Sequence, residues 1–91
     1  MSETKLRNKV TAYLKTVDDL HFWKVSDRYT SGIPDIICCY VGLFIAIELK
    51  YKARVSTIQQ YELERIRFAG GYARVCRSLD DVKKLISEVE I

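Results

Sequence analysis

Two carboxylates and a lysine stand where the rest of the sequence reads as buried sheet. Asp35 opens the apolar run Ile36-Ile37-Cys38-Cys39-Tyr40, and Glu48 and Lys50 close the run that starts at Leu43. Side chains alternate across a strand, so Glu48 and Lys50 share one face while Leu49 points the other way. If Val41-Gly42 is a two-residue hairpin turn, Tyr40 pairs with Leu43, and the same register sets Asp35 opposite Glu48. Directly opposed residues hold their Cβ atoms about 4.5–5.5 Å apart on one face, close enough for two carboxylates to share a cation. A longer turn shifts this register. Like charges so placed repel unless a proton or a metal compensates, and a divalent metal is the expected answer. Oxygen ligands alone favour Mg2+ or Mn2+ over zinc, because nothing soft is offered and the sole histidine, His21, lies on another segment. Lys50 beside such an ion could stabilise a phosphate oxygen or an attacking water. An ion pair at two strand ends accounts for the same trio without chemistry.

The elements that must position these residues follow from periodicity. Leu6, Val10, Tyr13, Leu14 and Val17 form a helical stripe, with Ser2 placed to cap a helix running to about Thr16. Phe22 to Val25 is a short β-prone run, ended by the turn-rich stretch Ser26 to Gly32. Asp35–Tyr40 and Leu43–Lys50 read as a hairpin of two central strands, and their nearly continuous hydrophobicity predicts burial on both faces. Helices above and below the sheet are then required, an α/β sandwich. Ser56-Thr57-Ile58-Gln59 matches a capping box and opens a helix ending at Gly70-Gly71, with Ile58, Tyr61, Ile66 and Ala69 expected inward. Tyr72 to Cys76 reads as a strand. Ser78 to Asp81 caps a last helix with the stripe Val82, Leu85, Ile86 and Val89. The expected order is α-β-β-β-α-β-α.

Ninety-one residues, 48% hydrophobic and 30% charged, describe an ordinary globular sequence with room for one domain, residues 1–91, and one core. A domain of this size buries only about 60–65% of its unfolded surface, so self-association is the default expectation. No apolar run approaches a membrane span and the first residues lack the order of a signal peptide, which predicts a cytoplasmic protein without a membrane partner. Three cysteines, two of them adjacent, offer neither a disulfide framework nor metal-ligand spacing and read as small buried hydrophobes. A net charge of +3 does not by itself identify a nucleic-acid binder. Its distribution is more informative, with Lys24 and Arg28 before the trio and Lys52 and Arg54 after it, although a solvated rim has the same composition.

The blocks Ser31-Gly32-Ile33-Pro34-Asp35, Glu48-Leu49-Lys50 and Val55-Ser56-Thr57-Ile58-Gln59, in this order of elements, resemble the virus-type replication-repair nuclease (VRR-NUC) domain of the PD-(D/E)xK superfamily. The likeness covers almost the whole chain, from Glu3 through Gly71 and on to the final strand, as a minimal, free-standing form. It implies a restriction-endonuclease-like α-β-β-β-α-β core with a C-terminal helix, and a metal-dependent DNA endonuclease. Asp35 and Glu48 would bind Mg2+ or Mn2+ with help from the Leu49 carbonyl, and Lys50 would assist the attacking water. Glu3 matches the acidic residue that members carry on the first helix, although a carboxylate is also simply favourable at a helix N-terminus. Gln59 matches a glutamine that organises the site, and capping explains the same residue. Lys24, Arg28, Tyr29, Lys52 and Arg54 are candidates for contact with DNA, Tyr29 by base stacking. Phe22 and Trp23 are expected in the core or at a dimer contact.

By the same resemblance, free-standing members act like Holliday-junction resolvases, which implies a homodimer on branched DNA in a bacterial or phage-infected cell. A less selective nuclease of single strands or flaps is the enzymatic alternative. A non-catalytic DNA-binding module on the same scaffold is the other.

Overall fold

The computed structural model describes residues 1–26 and 31–89. Its elements are α1 (Glu3–Leu14), β1 (Leu20–Lys24), β2 (Ile36–Tyr40), β3 (Leu43–Leu49), α2 (Thr57–Phe68), β4 (Tyr72–Cys76) and α3 (Leu79–Val89), in the order the periodicity predicts. The strands lie side by side as β1-β2-β3-β4. The first three are antiparallel, and β4 joins β3 in parallel through the α2 crossover. Among the described residues no helix is long and apolar enough to cross a membrane.

The turn between β2 and β3 is the two-residue one. Tyr40 pairs with Leu43 and Ile36 with Ile47, and Val41 and Gly42 both have positive φ, 50° and 78°. Two left-handed residues match the twist of a tight hairpin. At Val41 this conformation costs on the order of 1 kcal/mol, since a β-branched side chain crowds the following carbonyl there. Continuing the register by one residue brings Asp35 level with Glu48, as the sequence reading requires.

One face of the sheet carries most of the core. Leu6, Val10 and Leu14 of α1 and Val82, Leu85, Ile86 and Val89 of α3 close over Ile36, Cys38, Tyr40, Ile45, Ile47, Leu49 and Cys76. Tyr13 and Val17, the remaining members of the expected α1 stripe, are half-buried at its margin. The serine caps form as expected: Lys5 N–H donates to Ser2 Oγ at 3.2 Å and Asp81 N–H to Ser78 Oγ at 3.2 Å.

The other face is covered only in part, and several expectations change there. Leu63 of α2, with Ile66, packs on Ala46 and Ala73 of β3 and β4. Ile58, Tyr61 and Ala69, expected inward, are exposed. The helix is rotated so that Gln59, Leu63 and Ile66 meet the sheet, and the other apolar residues are carried outward. Beyond α2 the sheet is bare, so β2 is buried on one face rather than two. Cys39 is exposed and Ile37 half-buried. The cysteines therefore divide: Cys38 and Cys76 are buried, with thiol pKa values pushed up to about 12 by burial, whereas Cys39 is not the buried hydrophobe expected. Trp23 is also exposed and does not belong to the core, while Phe22 packs against its edge.

Gly32 fixes the entry to β2. Its φ is +83°, and a Cβ there would stand 2.8 Å from the Ile58 carbonyl oxygen. Only a glycine lets the segment leading to Asp35 pass this close to the first turn of α2.

Candidate active site

Asp35 lies one residue before β2, and hydrogen bonds hold it on both sides. Its carbonyl accepts the Val25 N–H at 2.8 Å, extending the β1-β2 ladder, and its Oδ2 accepts the Leu49 N–H at 2.8 Å. The side chain thus reaches across to the end of β3, where Glu48 and Lys50 emerge. Leu49 meets Asp35 through its amide in this arrangement.

Glu48 is only 2% exposed, an unusual position for a carboxylate. Its Oε1 accepts the Gln59 Nε2 at 3.3 Å, while Oε2 is buried with no hydrogen-bond partner. Burial is the main reason that its pKa is pushed up to about 8. The neighbouring Asp35 carboxylate, by its charge and as an acceptor for the proton that Glu48 would carry, and the Glu3 charge push the same way, and Lys50 opposes them. A buried, partnerless carboxylate oxygen is costly, and a proton or a cation removes that cost. Oxygen donors converging without sulfur or imidazole fit a hard divalent cation.

Gln59 serves two structures at once. Its Oε1 accepts the Ser56 N–H at 2.9 Å while its own N–H donates to Ser56 Oγ at 3.2 Å, which completes the capping box. Since a backbone N–H can only donate, the amide oxygen must face Ser56 and the NH2 must face Glu48. The capping and organising roles read from the sequence therefore coexist in one side chain. Gln59→Ala is expected to lower stability by about 1 kcal/mol, because it keeps the Ser56 Oγ cap but loses the reciprocal bond to Ser56 N–H and the bond to Glu48. Gln59→Glu, which keeps the cap, should melt near the wild type at pH 5 and below it at pH 8, where a further carboxylate faces Glu48. Equal melting of Gln59→Glu and wild type at pH 8 would contradict this geometry.

The other candidates are placed less centrally. Glu3 is exposed in the first turn of α1. Its charge reaches Glu48, yet among the described residues no three His, Cys, Asp or Glu side chains gather closely enough to hold a metal. The structure unites two carboxylates, not three. Lys24 ends β1 beside Ile36 and is exposed. Lys52 and Arg54 are exposed on the segment between β3 and α2, with Lys52 Nζ 5.4 Å from the Tyr51 ring centre. Arg28 and Tyr29 lie outside the described residues.

One basic residue escaped the sequence reading. Arg77 donates through Nη1 to the Ala53 carbonyl at 2.9 Å, tying the end of β4 to the segment that follows Lys50. With Lys9 and Tyr51 it also lines a cavity of about 340 Å3 between the starts of α1 and α3. Nothing local marks Arg77, because its partner is 24 residues away.

No family model matches the sequence, and no curated protein matches it. Solved structures do. One, a VRR-NUC domain, has a TM-score of 0.79 and 25% identity over 93% of this chain and 94% of its own. Another, a VRR-NUC domain protein, has a TM-score of 0.75 and 19% identity over 97% of this chain and 87% of its own. The chain has the fold of the VRR-NUC domain, a nuclease fold.

Proposed function

We propose that residues 1–91 form a single nuclease domain that hydrolyses DNA phosphodiesters with Mg2+ or Mn2+ held by Asp35 and Glu48. The observation that carries this reading is the buried, partnerless Oε2 of Glu48 beside a second carboxylate. A binding module has no use for such an atom, and a nuclease of this fold does. When bound, the ion supplies Lewis-acid polarisation of the phosphate and a lowered pKa for a coordinated water.

The residues divide the remaining work. Leu49 N–H fixes one oxygen of Asp35, and Gln59 fixes one oxygen of Glu48, which leaves one oxygen of each for the ion. The Leu49 carbonyl is the third ligand in this scheme, and Glu3 joins only by way of water. Lys50, on the same face as Glu48, holds the attacking water or a phosphate oxygen by its ammonium group. Tyr29 stacks on a base, and Lys24, Arg28, Lys52 and Arg54 contact the DNA backbone. Their charge supplies affinity without base readout, consistent with recognition of DNA shape. Two symmetric cuts in a branched substrate require two active sites, which a homodimer provides.

The test is incubation of purified protein with a labelled four-way junction, a flap, a duplex and a single strand, with and without Mg2+ or Mn2+. Cleavage is expected only with metal and fastest on the junction. Equal rates on all four substrates would replace the structure-selective reading with a general nuclease. Retardation without cleavage would leave only a DNA-binding module.

A further inference from the structure

Helix α2 carries more apolar surface than the sheet beneath it receives. Its sheet-facing side is Gln59, Leu63 and Ile66. A second stripe, Ile58, Tyr61, Arg65 and Phe68, recurs at spacings of three, four and three residues and so occupies one other side of the helix. Its apolar members are 49%, 55% and 87% exposed at Ile58, Tyr61 and Phe68. The bare part of the sheet continues this surface. Phe44 borders Ile66, Ala69 and Gly71 at the C-terminal end of α2, Cys39 pairs with Phe44, and Trp23 pairs with Ile37. Phe44 is 45% exposed and Trp23 53%. At about 150–250 Å2 for each whole aromatic side chain, the exposed parts of Trp23, Phe44, Tyr61 and Phe68 amount to roughly 360–600 Å2. A stable interface needs about 800 Å2 per partner, so these anchors supply around half or more of it.

We propose that this face is where a second copy of the chain docks, with the two α2 helices antiparallel across a two-fold axis. The inference rests on the homodimer reading above and assigns its surface. Charge distinguishes the occupant. The stripe is flanked by Glu62 and includes Arg65, and neither side chain makes an ion pair with another described residue. Mixed signs give no uniform field for a phosphate backbone. Antiparallel helices instead set Glu62 of each copy against Arg65 of its partner, so the contact is made twice and is self-complementary. Because Gln59 ties the start of α2 to Glu48, this pairing places the two candidate active sites at opposite ends of the helix pair.

Sedimentation velocity of the full chain without DNA tests this, with circular dichroism confirming that each variant folds. The wild type is expected to be a dimer at micromolar concentration, and Phe68→Glu and Trp23→Glu monomers. Glu62→Arg and Arg65→Glu should each weaken dimerisation at least tenfold, and the double variant should restore it. A wild-type monomer overturns the proposal, as does a dimer untouched by Phe68→Glu and Trp23→Glu. A double variant that stays monomeric overturns the antiparallel pairing. Mg2+-dependent cleavage of a four-way junction and of single-stranded DNA by the same samples separates the two readings: a wild-type monomer that cuts either substrate defeats the surface and spares the nuclease. A dimer lost on Phe68→Glu that cuts nothing supports the surface and defeats the nuclease.

Discussion

Asp35→Asn and Lys50→Ala should each reduce Mg2+-dependent cleavage by about 10^3-fold, in the range observed when a single stabilising group is removed from an active site. The two substitutions act on different atoms. Asparagine keeps an oxygen to accept the Leu49 N–H, so the hydrogen bond that locates residue 35 survives while its charge is lost. Asp35→Ala should abolish cleavage as well, but it also strands that N–H, at a cost of about 1–3 kcal/mol. Comparing the two separates loss of a ligand from loss of position. Lys50→Ala retains the backbone bond from Lys50 N–H to the Cys76 carbonyl, so β3 should stay in place. Initial rates on labelled DNA, with thermal melts of the same samples, provide the check. Undiminished cutting by folded Asp35→Asn or Lys50→Ala would defeat the proposed chemistry.

Glu48→Gln should be catalytically dead yet more stable than the wild type, above neutral pH and without metal. The Glu48 pKa is about 8 in the fold, against 4.5 for the free group. A carboxyl whose pKa rises on folding contributes stability that is complete below about 4.5 and is lost as pH climbs through about 8. The native state then holds a proton that the unfolded chain has released. Glutamine has no proton to lose, still accepts from Gln59 and can donate to Asp35. The variant should therefore melt at least about 4 °C above wild type at pH 8.5, which corresponds to about 1 kcal/mol in a domain of this size. Below pH 4, where the carboxyl is protonated in both the folded and the unfolded chain, the two should converge. Mg2+ should reverse the order at pH 8.5, since it binds the native wild type and raises its melting temperature by mass action. A metal-free variant melting below wild type at pH 8.5 would contradict the assignment of Glu48 as a buried, uncompensated carboxylate. The pair of outcomes expresses one trade: the residue that destabilises the empty fold is the one proposed to hold the ion.

Much of this site could be read along the chain because its geometry is local. Val41-Gly42 sets the hairpin register by turn chemistry alone, alternation puts Glu48 and Lys50 on one face, and Asp35 follows from counting back along the paired strand. The capping box at Ser56 likewise lies within four consecutive residues. What only the tertiary structure decided is how α2 is turned about its axis. Its sequence holds two stripes of helical spacing, and periodicity cannot say which one meets the sheet. Ala46 and Ala73 leave room for Leu63, and the Gln59 amide is held by Glu48, so the stripe bearing Gln59 faces inward and Tyr61 and Phe68 face out. The same holds for Arg77 reaching Ala53, for Glu3 standing apart from the two carboxylates, and for Cys39 on bare sheet. Each depends on contacts between distant segments, whose energies no short window of sequence contains.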